Sequence, residues 1–166
     1  EGGNTVADVL AGKVNPSGKL AMTFANTYES IKSSENFPGN YTRPAASADP
    51  NAPKVAVENV DYTNYEEDIY VGYRYFDTFG VDVSYPFGYG LSYTTFAYDE
   101  ASVKAVKGGY EVAVKVTNTG KVAGKEAVQV YVAAPAGGLE KPAFELRGFA
   151  KTNLLQPGES QTLTIN

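Results

Sequence analysis

One stretch limits the fold of this chain more than any other. Tyr110, Val112, Val114 and Val116 alternate with Glu111, Ala113 and Lys115. Side chains on a strand point to opposite faces in turn, so a period of two gives this segment one apolar face. A second run, Glu126 to Ala133, sets Val128, Val130 and Val132 on one face. Asn118-Thr119-Gly120 closes the first run, and Pro157-Gly158 makes a turn before a strand over 161–166. Short alternating strands with turn signals between them predict a β-sandwich. A seven-stranded sandwich takes about 100 residues, more than follow Leu91, so this one is expected to lack its last strands.

Upstream the pattern changes twice. Residues 69–76 (Ile-Tyr-Val-Gly-Tyr-Arg-Tyr-Phe) are aromatic and β-branched, the composition of a strand. Tyr85-Pro86-Phe87-Gly88-Tyr89-Gly90 reads as turn chemistry with aromatic packing between the glycines. Residues 25–65 are rich in Asn, Ser, Pro, Ala and Asp and hold no sustained period, which predicts a linker lying over a parent protein's surface. In the first 24 residues, Asn4 or Thr5 is placed to cap a helix whose apolar positions are Val6, Val9 and Leu10, and Gly12 is placed to end it. Asn15-Pro16-Ser17-Gly18 predicts a turn, and residues 19–24 alternate like a strand. A helix, a turn and a strand cannot bury their apolar faces alone, so they predict the edge of an α/β layer.

Composition removes several kinds of chemistry. The chain has no Cys and no His, which excludes a thiol nucleophile, a His base, a disulfide and a Cys/His zinc site within it. Its formal net charge is −5 without a basic run, against a phosphate-binding surface. No stretch approaches the roughly 20 apolar residues of a membrane span. The start at Glu1-Gly2-Gly3, without Met, predicts a fragment of a longer protein.

Each candidate functional group has a structural counterpart. Glu66-Glu67-Asp68 offers three adjacent carboxylates for a cation or for acid–base work; the counterpart is an exposed acidic run before a strand. Gly88-Tyr89-Gly90 fits tight turning at the sandwich entry, because no helix or Lys follows to make a phosphate loop. Tyr70, Tyr73, Tyr75, Tyr85, Tyr89 and Tyr93 have ring faces able to stack on sugars, against an aromatic seam joining linker to domains. Arg74 among these rings reads as stacked or salt-bridged, and Asn118 as a turn residue. Asn40-Tyr41-Thr42 is a glycosylation triplet, meaningful only in a eukaryotic secreted protein.

Four motifs in order resemble the C-terminal region of family 3 glycoside hydrolases. They are the Glu1-Gly2-Gly3 start with Ala7-Asp8-Val9-Leu10-Ala11-Gly12 and Asn15-Pro16-Ser17-Gly18-Lys19-Leu20; the 69–77 run; the 85–94 run; and 116–126 with Val128-Gln129-Val130-Tyr131, Leu146-Arg147-Gly148-Phe149 and Pro157-Gly158-Glu159. The resemblance implies a β-glucosidase-like parent whose barrel domain supplies an Asp nucleophile and whose α/β sandwich supplies a Glu acid/base. It implies a retaining mechanism, which suits two carboxyls about 5–5.5 Å apart. Both would lie upstream of Glu1; this Glu matches the glycine-rich approach to the final helix, after the acid/base. No catalytic, cofactor-binding or metal-binding residue is therefore assigned here, and no cofactor is expected.

The resulting expectation is a mainly β chain. Residues 1–24 form the edge of an α/β sandwich domain, 25–90 a linker packing on the parent, and 91–166 a truncated immunoglobulin- or fibronectin type III-like β-sandwich. Its function is expected to be structural and accessory to hydrolysis of terminal β-glycosidic bonds, with no activity of its own. The alternative is a stand-alone carbohydrate-binding or interaction module. Expected partners are the remainder of the parent enzyme, its oligosaccharide or β-glucoside substrate, and a second copy in a homodimer, with no nucleic acid and no membrane span. A periplasmic or secreted location is expected.

Overall fold

The computed structural model describes residues 2–35 and 65–166. Glu1, the 40–42 triplet and most of the 25–65 segment lie outside them. No described helix is long and apolar enough to cross a membrane.

Two antiparallel sheets form the larger part. One is three-stranded, ordered β3 (Phe96–Val106), β4 (Gly109–Asn118), β7 (Ser160–Ile165); the other pairs β5 (Ala127–Val132) with β6 (Glu145–Lys151). The valine alternation sets the register as expected. Val114 and Val116 of β4 and Val128 of β5 are buried with Leu155, Leu163 and Ile165, and Phe96, Val130 and Ala150 pack against them. Val132, expected on the same face, is 48% exposed, because it ends β5 beyond this core. The expected strand over 161–166 is β7, starting one residue earlier. In β6, Gly148 lets the sheets approach closely: a Cβ there would lie 2.5 Å from Ile165 Cγ2.

Three further expectations need correction. Residues 69–76 are not a strand: Tyr73–Phe79 is a helix, α2. Gly72, at φ 59° and ψ −133°, breaks the extended run. Gly80, at φ 64°, ends the helix by donating its N–H to the Phe76 carbonyl. The aromatic rings follow helical spacing, with Tyr75 touching Phe79 at i, i+4. Strand propensity expresses packing on a sheet, and among the described residues no strand pairs with this segment.

The segment 19–24 is extended for only part of its length. Leu20 bonds both ways to the 88–89 turn (its N–H to Tyr89 O at 2.7 Å, Gly88 N–H to its carbonyl at 2.8 Å), and the chain bends at Ala21–Met22. Only β1 (Phe24–Ala25) is strand, paired with β2 (Val83–Tyr85). The first helix, α1 (Gly2–Leu10), contains Asn4 and Thr5 rather than starting at them. Gly12 does end it, at φ 70° with its N–H on Val9 O. Val6 and Leu10 on α1 are exposed.

Candidate functional site

The turn and loop after α1 are fastened to the sandwich. Asn15 Nδ2 donates to Ala123 O at 3.0 Å, and Asn15 Oδ1 accepts from Ser92 Oγ and from Tyr93 N–H. Lys19 Nζ lies 2.9 Å from Glu126 Oε1, which also accepts from Tyr98 Oη at 2.6 Å. Burial, and then the Glu126 hydrogen bond, push the Tyr98 hydroxyl well above its usual range. Tyr93 Oη reaches Val9 O on α1.

Asn118 lies deeper, fully buried at the end of β4. Its Oδ1 accepts from Thr94 Oγ1 and Gly120 N–H, and its Nδ2 donates to the carbonyls of Val122 and Leu155. It closes a turn, as expected, and also satisfies four groups from three loops.

Two clefts open along the aromatic band, sharing Tyr73 and Phe87. In the smaller, of about 340 Å³, Tyr73 stacks on Phe87 at 4.7 Å and on Phe144 at 6.1 Å, while Tyr131 meets it edge-on. Tyr73 Oη accepts the Leu146 N–H, and Tyr131 Oη donates to Gln129 Oε1. Burial pushes the Asp77 carboxyl above its usual range, and the Tyr131 hydroxyl is pushed up first by burial and then by the neighbouring Tyr73 and Asp77 charges. These rings spend much of their surface on one another.

The larger cleft, of about 540 Å³, lies between 21–23, 31–33 and 67–76. Thr23, Glu67 and Arg74 line it, and Thr23 Oγ1, Glu67 Oε2 and Arg74 Nε are buried without a hydrogen-bond partner.

The sequence candidates therefore separate. Of the acidic run, Glu66 and Asp68 are exposed and only Glu67 turns into a cleft wall. Arg74 pairs with Glu145, Nη2 to Oε1 at 2.8 Å, and Glu145 also holds Arg147. Gly88, at φ 81°, leaves room for the Gln129 side chain, and Gly90 packs on the Gly18 carbonyl. Tyr85 and Tyr89 touch each other, and Tyr85 meets Phe24. Among the described residues no group of three Asp or Glu side chains gathers to hold a metal ion. Glu126 was the group missed, and parity could have found it: it shares the inward face with Val128 and Val130, where a carboxylate needs partners.

Residues 1–93 match the glycosyl hydrolase family 3 C-terminal domain, and residues 126–166 a fibronectin type III-like domain. The chain belongs to glycoside hydrolase family 3. It is 47% identical over 99% of its length to β-glucosidase A of Butyrivibrio fibrisolvens, and 44% identical over 98% to thermostable β-glucosidase B of Acetivibrio thermocellus. It spans 20% of each of these relatives, about a fifth. The structure of β-glucosidase 3B from Thermotoga neapolitana in complex with glucose superposes with TM-score 0.79 at 46% identity, covering 96% of this chain and 20% of that one. The Bifidobacterium adolescentis family 3 β-glucosidase gives 0.81 at 41% identity, covering 98% and 21%. The family 3 chain is thus mainly β, with the sandwich fold expected of its second half.

Proposed function

We propose that this chain is the structural, accessory C-terminal region of a β-glucosidase that removes terminal β-linked sugars by a retaining, two-carboxylate mechanism, with both catalytic carboxylates elsewhere in the parent protein. The observation that carries this reading is the match of nearly the whole chain to about a fifth of β-glucosidases, at 47% and 44% identity in the two relatives named above. The fastening of residues 15–19 to the sandwich supports it. Asn15 and Lys19 make the family 3 segment and the sandwich one mechanical unit, so a sandwich so held stiffens whatever α1 packs on. The exposed Val6 and Leu10 of α1 suit burial against the parent's α/β layer.

Assaying the purified chain on a chromogenic β-glucoside, alone and joined to the remainder of its parent, tests the reading. Activity is expected only in the joined protein. Turnover by the isolated chain that survives exhaustive purification would overturn it.

A further inference from the structure

The smaller cleft carries an inference beyond the accessory reading. Tyr73, Phe87, Tyr131 and Phe144 wall it, with Gln129 and Asp77 as polar members. Its volume of about 340 Å³ falls within the roughly 300–1,000 Å³ of small-molecule sites. The four rings come from separate segments: Tyr73 from α2, Phe87 from the turn after β2, Tyr131 from β5, and Phe144 from just before β6. What they leave uncovered by one another faces the cleft. The face of an aromatic ring carries negative potential and attracts cations.

The polar groups have the same sign. Asp77 is the one charged residue among those lining the cleft. Among the described residues its carboxylate has neither an ion-pair nor a hydrogen-bond partner. It is exposed, so a ligand can reach it. Tyr131 gives its hydroxyl proton to Gln129 Oε1, which leaves its own oxygen as an acceptor. The basic side chains of α2, of β6 and of the loop before β6 are engaged elsewhere. Arg74 and Arg147 hold Glu145, and Lys141 bonds the carbonyls of Pro135 and Gly137.

An anion would meet the carboxylate, and a wholly apolar ligand would desolvate it without a partner. A hard metal ion takes about six or more oxygen ligands, and no three carboxylates gather among the described residues. An ammonium group on a short alkyl chain meets both demands, with N–H donors for the carboxylate and a cationic head for the rings. We infer that this cleft is a binding site for an alkylammonium group, with Asp77 as its counter-charge and Tyr73, Phe87, Tyr131 and Phe144 as its walls. A free amine or a lysine side chain of the parent protein carries that group. The inference is separable from the accessory reading, since its failure leaves the inactivity of the isolated chain untouched.

The test is a titration of the ¹⁵N-labelled 166-residue chain with n-butylammonium chloride at constant ionic strength, followed by amide chemical shifts. Saturable shifts at Tyr73, Asp77, Gln129 and Tyr131 are expected, and 1-butanol, which has the same chain without the charge, should give none. Asp77→Asn should weaken binding by about fivefold. Asp99→Asn, the same change on β3 in the other sheet, should leave the affinity as it is. No saturable shifts, shifts confined elsewhere, equal binding of the alcohol, or wild-type affinity in Asp77→Asn would each overturn the assignment. Should Asp77→Asn lose its dispersed spectrum, the wild-type comparison of amine with alcohol decides. The chain joined to the remainder of its parent separates the two sources. A free amine as occupant predicts that n-butylammonium binds there too. A lysine of the parent predicts no such binding, together with a loss of thermal stability on Asp77→Asn that the isolated chain does not show. Neither binding nor that loss in the joined protein would overturn the site.

Discussion

Lys19 and Glu126 form the ion pair that ties the segment after α1 to the sandwich, with Nζ and Oε1 2.9 Å apart and the side chains only 21% and 11% exposed. A carboxylate that shielded needs its partners, and here it has two donors, Lys19 and Tyr98. Removing one partner of such a pair costs more than the pair itself contributes, because the survivor stays desolvated. Lys19→Met should therefore destabilise the chain by about 1–3 kcal/mol, less than full burial would give, because Tyr98 Oη still donates. Urea unfolding followed by circular dichroism measures it. A Lys19→Met/Glu126→Gln double variant should recover part of the loss; a purely additive result would show that the pair is not coupled.

The Tyr98 hydroxyl gives a pH-dependent expectation. Its ionisation is displaced upward by burial and by Glu126, so the native state keeps its proton where the unfolded chain loses it, near pH 10. The stability it supplies is fully present below that pH and declines as pH rises above it. Tyr98 is 49% exposed, so screening limits the hydrogen bond to about 1 kcal/mol. Tyr98→Phe should be less stable than wild type at pH 7, and the gap should close between pH 10 and 11. A gap constant over that range would show that the hydroxyl does not carry it.

Asn118 marks how much of the fold the sequence makes legible. Its parity with Val114 and Val116 fixes it inside, and its position at a strand end suggests a turn. Both follow from one strand's period. Its partners do not: Thr94, Val122 and Leu155 come from loops whose approach is set by the closed sandwich, and no local pattern encodes that. The same limit hides the Lys19–Glu126 pair, since the alternation over 19–24 becomes strand only at Phe24–Ala25 and says nothing of what Lys19 meets. The larger cleft is hidden for the same reason, because the segments of Thr23 and Glu67 come to line it only through tertiary folding. In α2 the local signal was present and outvoted. Gly72 and Gly80 bracket one helix length, yet Tyr and Phe in such density favour a strand by propensity. Their rings are instead satisfied by one another and by Phe87 and Phe144.

Replacing Asn118 should be the costliest single polar substitution. Asn118→Leu leaves the Val122 and Leu155 carbonyls, the Gly120 N–H and the Thr94 hydroxyl without their present partner. One unmet buried group costs about 1–3 kcal/mol; with partial relaxation a total of about 3–5 kcal/mol is expected. Thr94→Val removes one of the four bonds and should cost about 1 kcal/mol. Equal losses for the two variants, measured by thermal unfolding, would rule out the hub role.

Gly124 tests whether the fastening of residue 15 depends on close packing. A Cβ there would meet Thr94 Cγ2 at 2.7 Å, Asn15 Nδ2 at 2.8 Å and Phe96 Cζ at 3.1 Å. Its backbone also pairs both ways with Leu155 in an isolated bridge, so it cannot easily withdraw. Gly124→Ala should cost about 1–3 kcal/mol by overpacking and should push Asn15 away from Ala123. Gly109→Ala, where a Cβ meets nothing within 4 Å, is the comparison: it should be close to neutral. Amide hydrogen exchange separates the two consequences, because the Tyr93 N–H that Asn15 holds should exchange faster in Gly124→Ala alone. Unchanged protection at Tyr93 together with lost stability would place the strain at Phe96 rather than at Asn15.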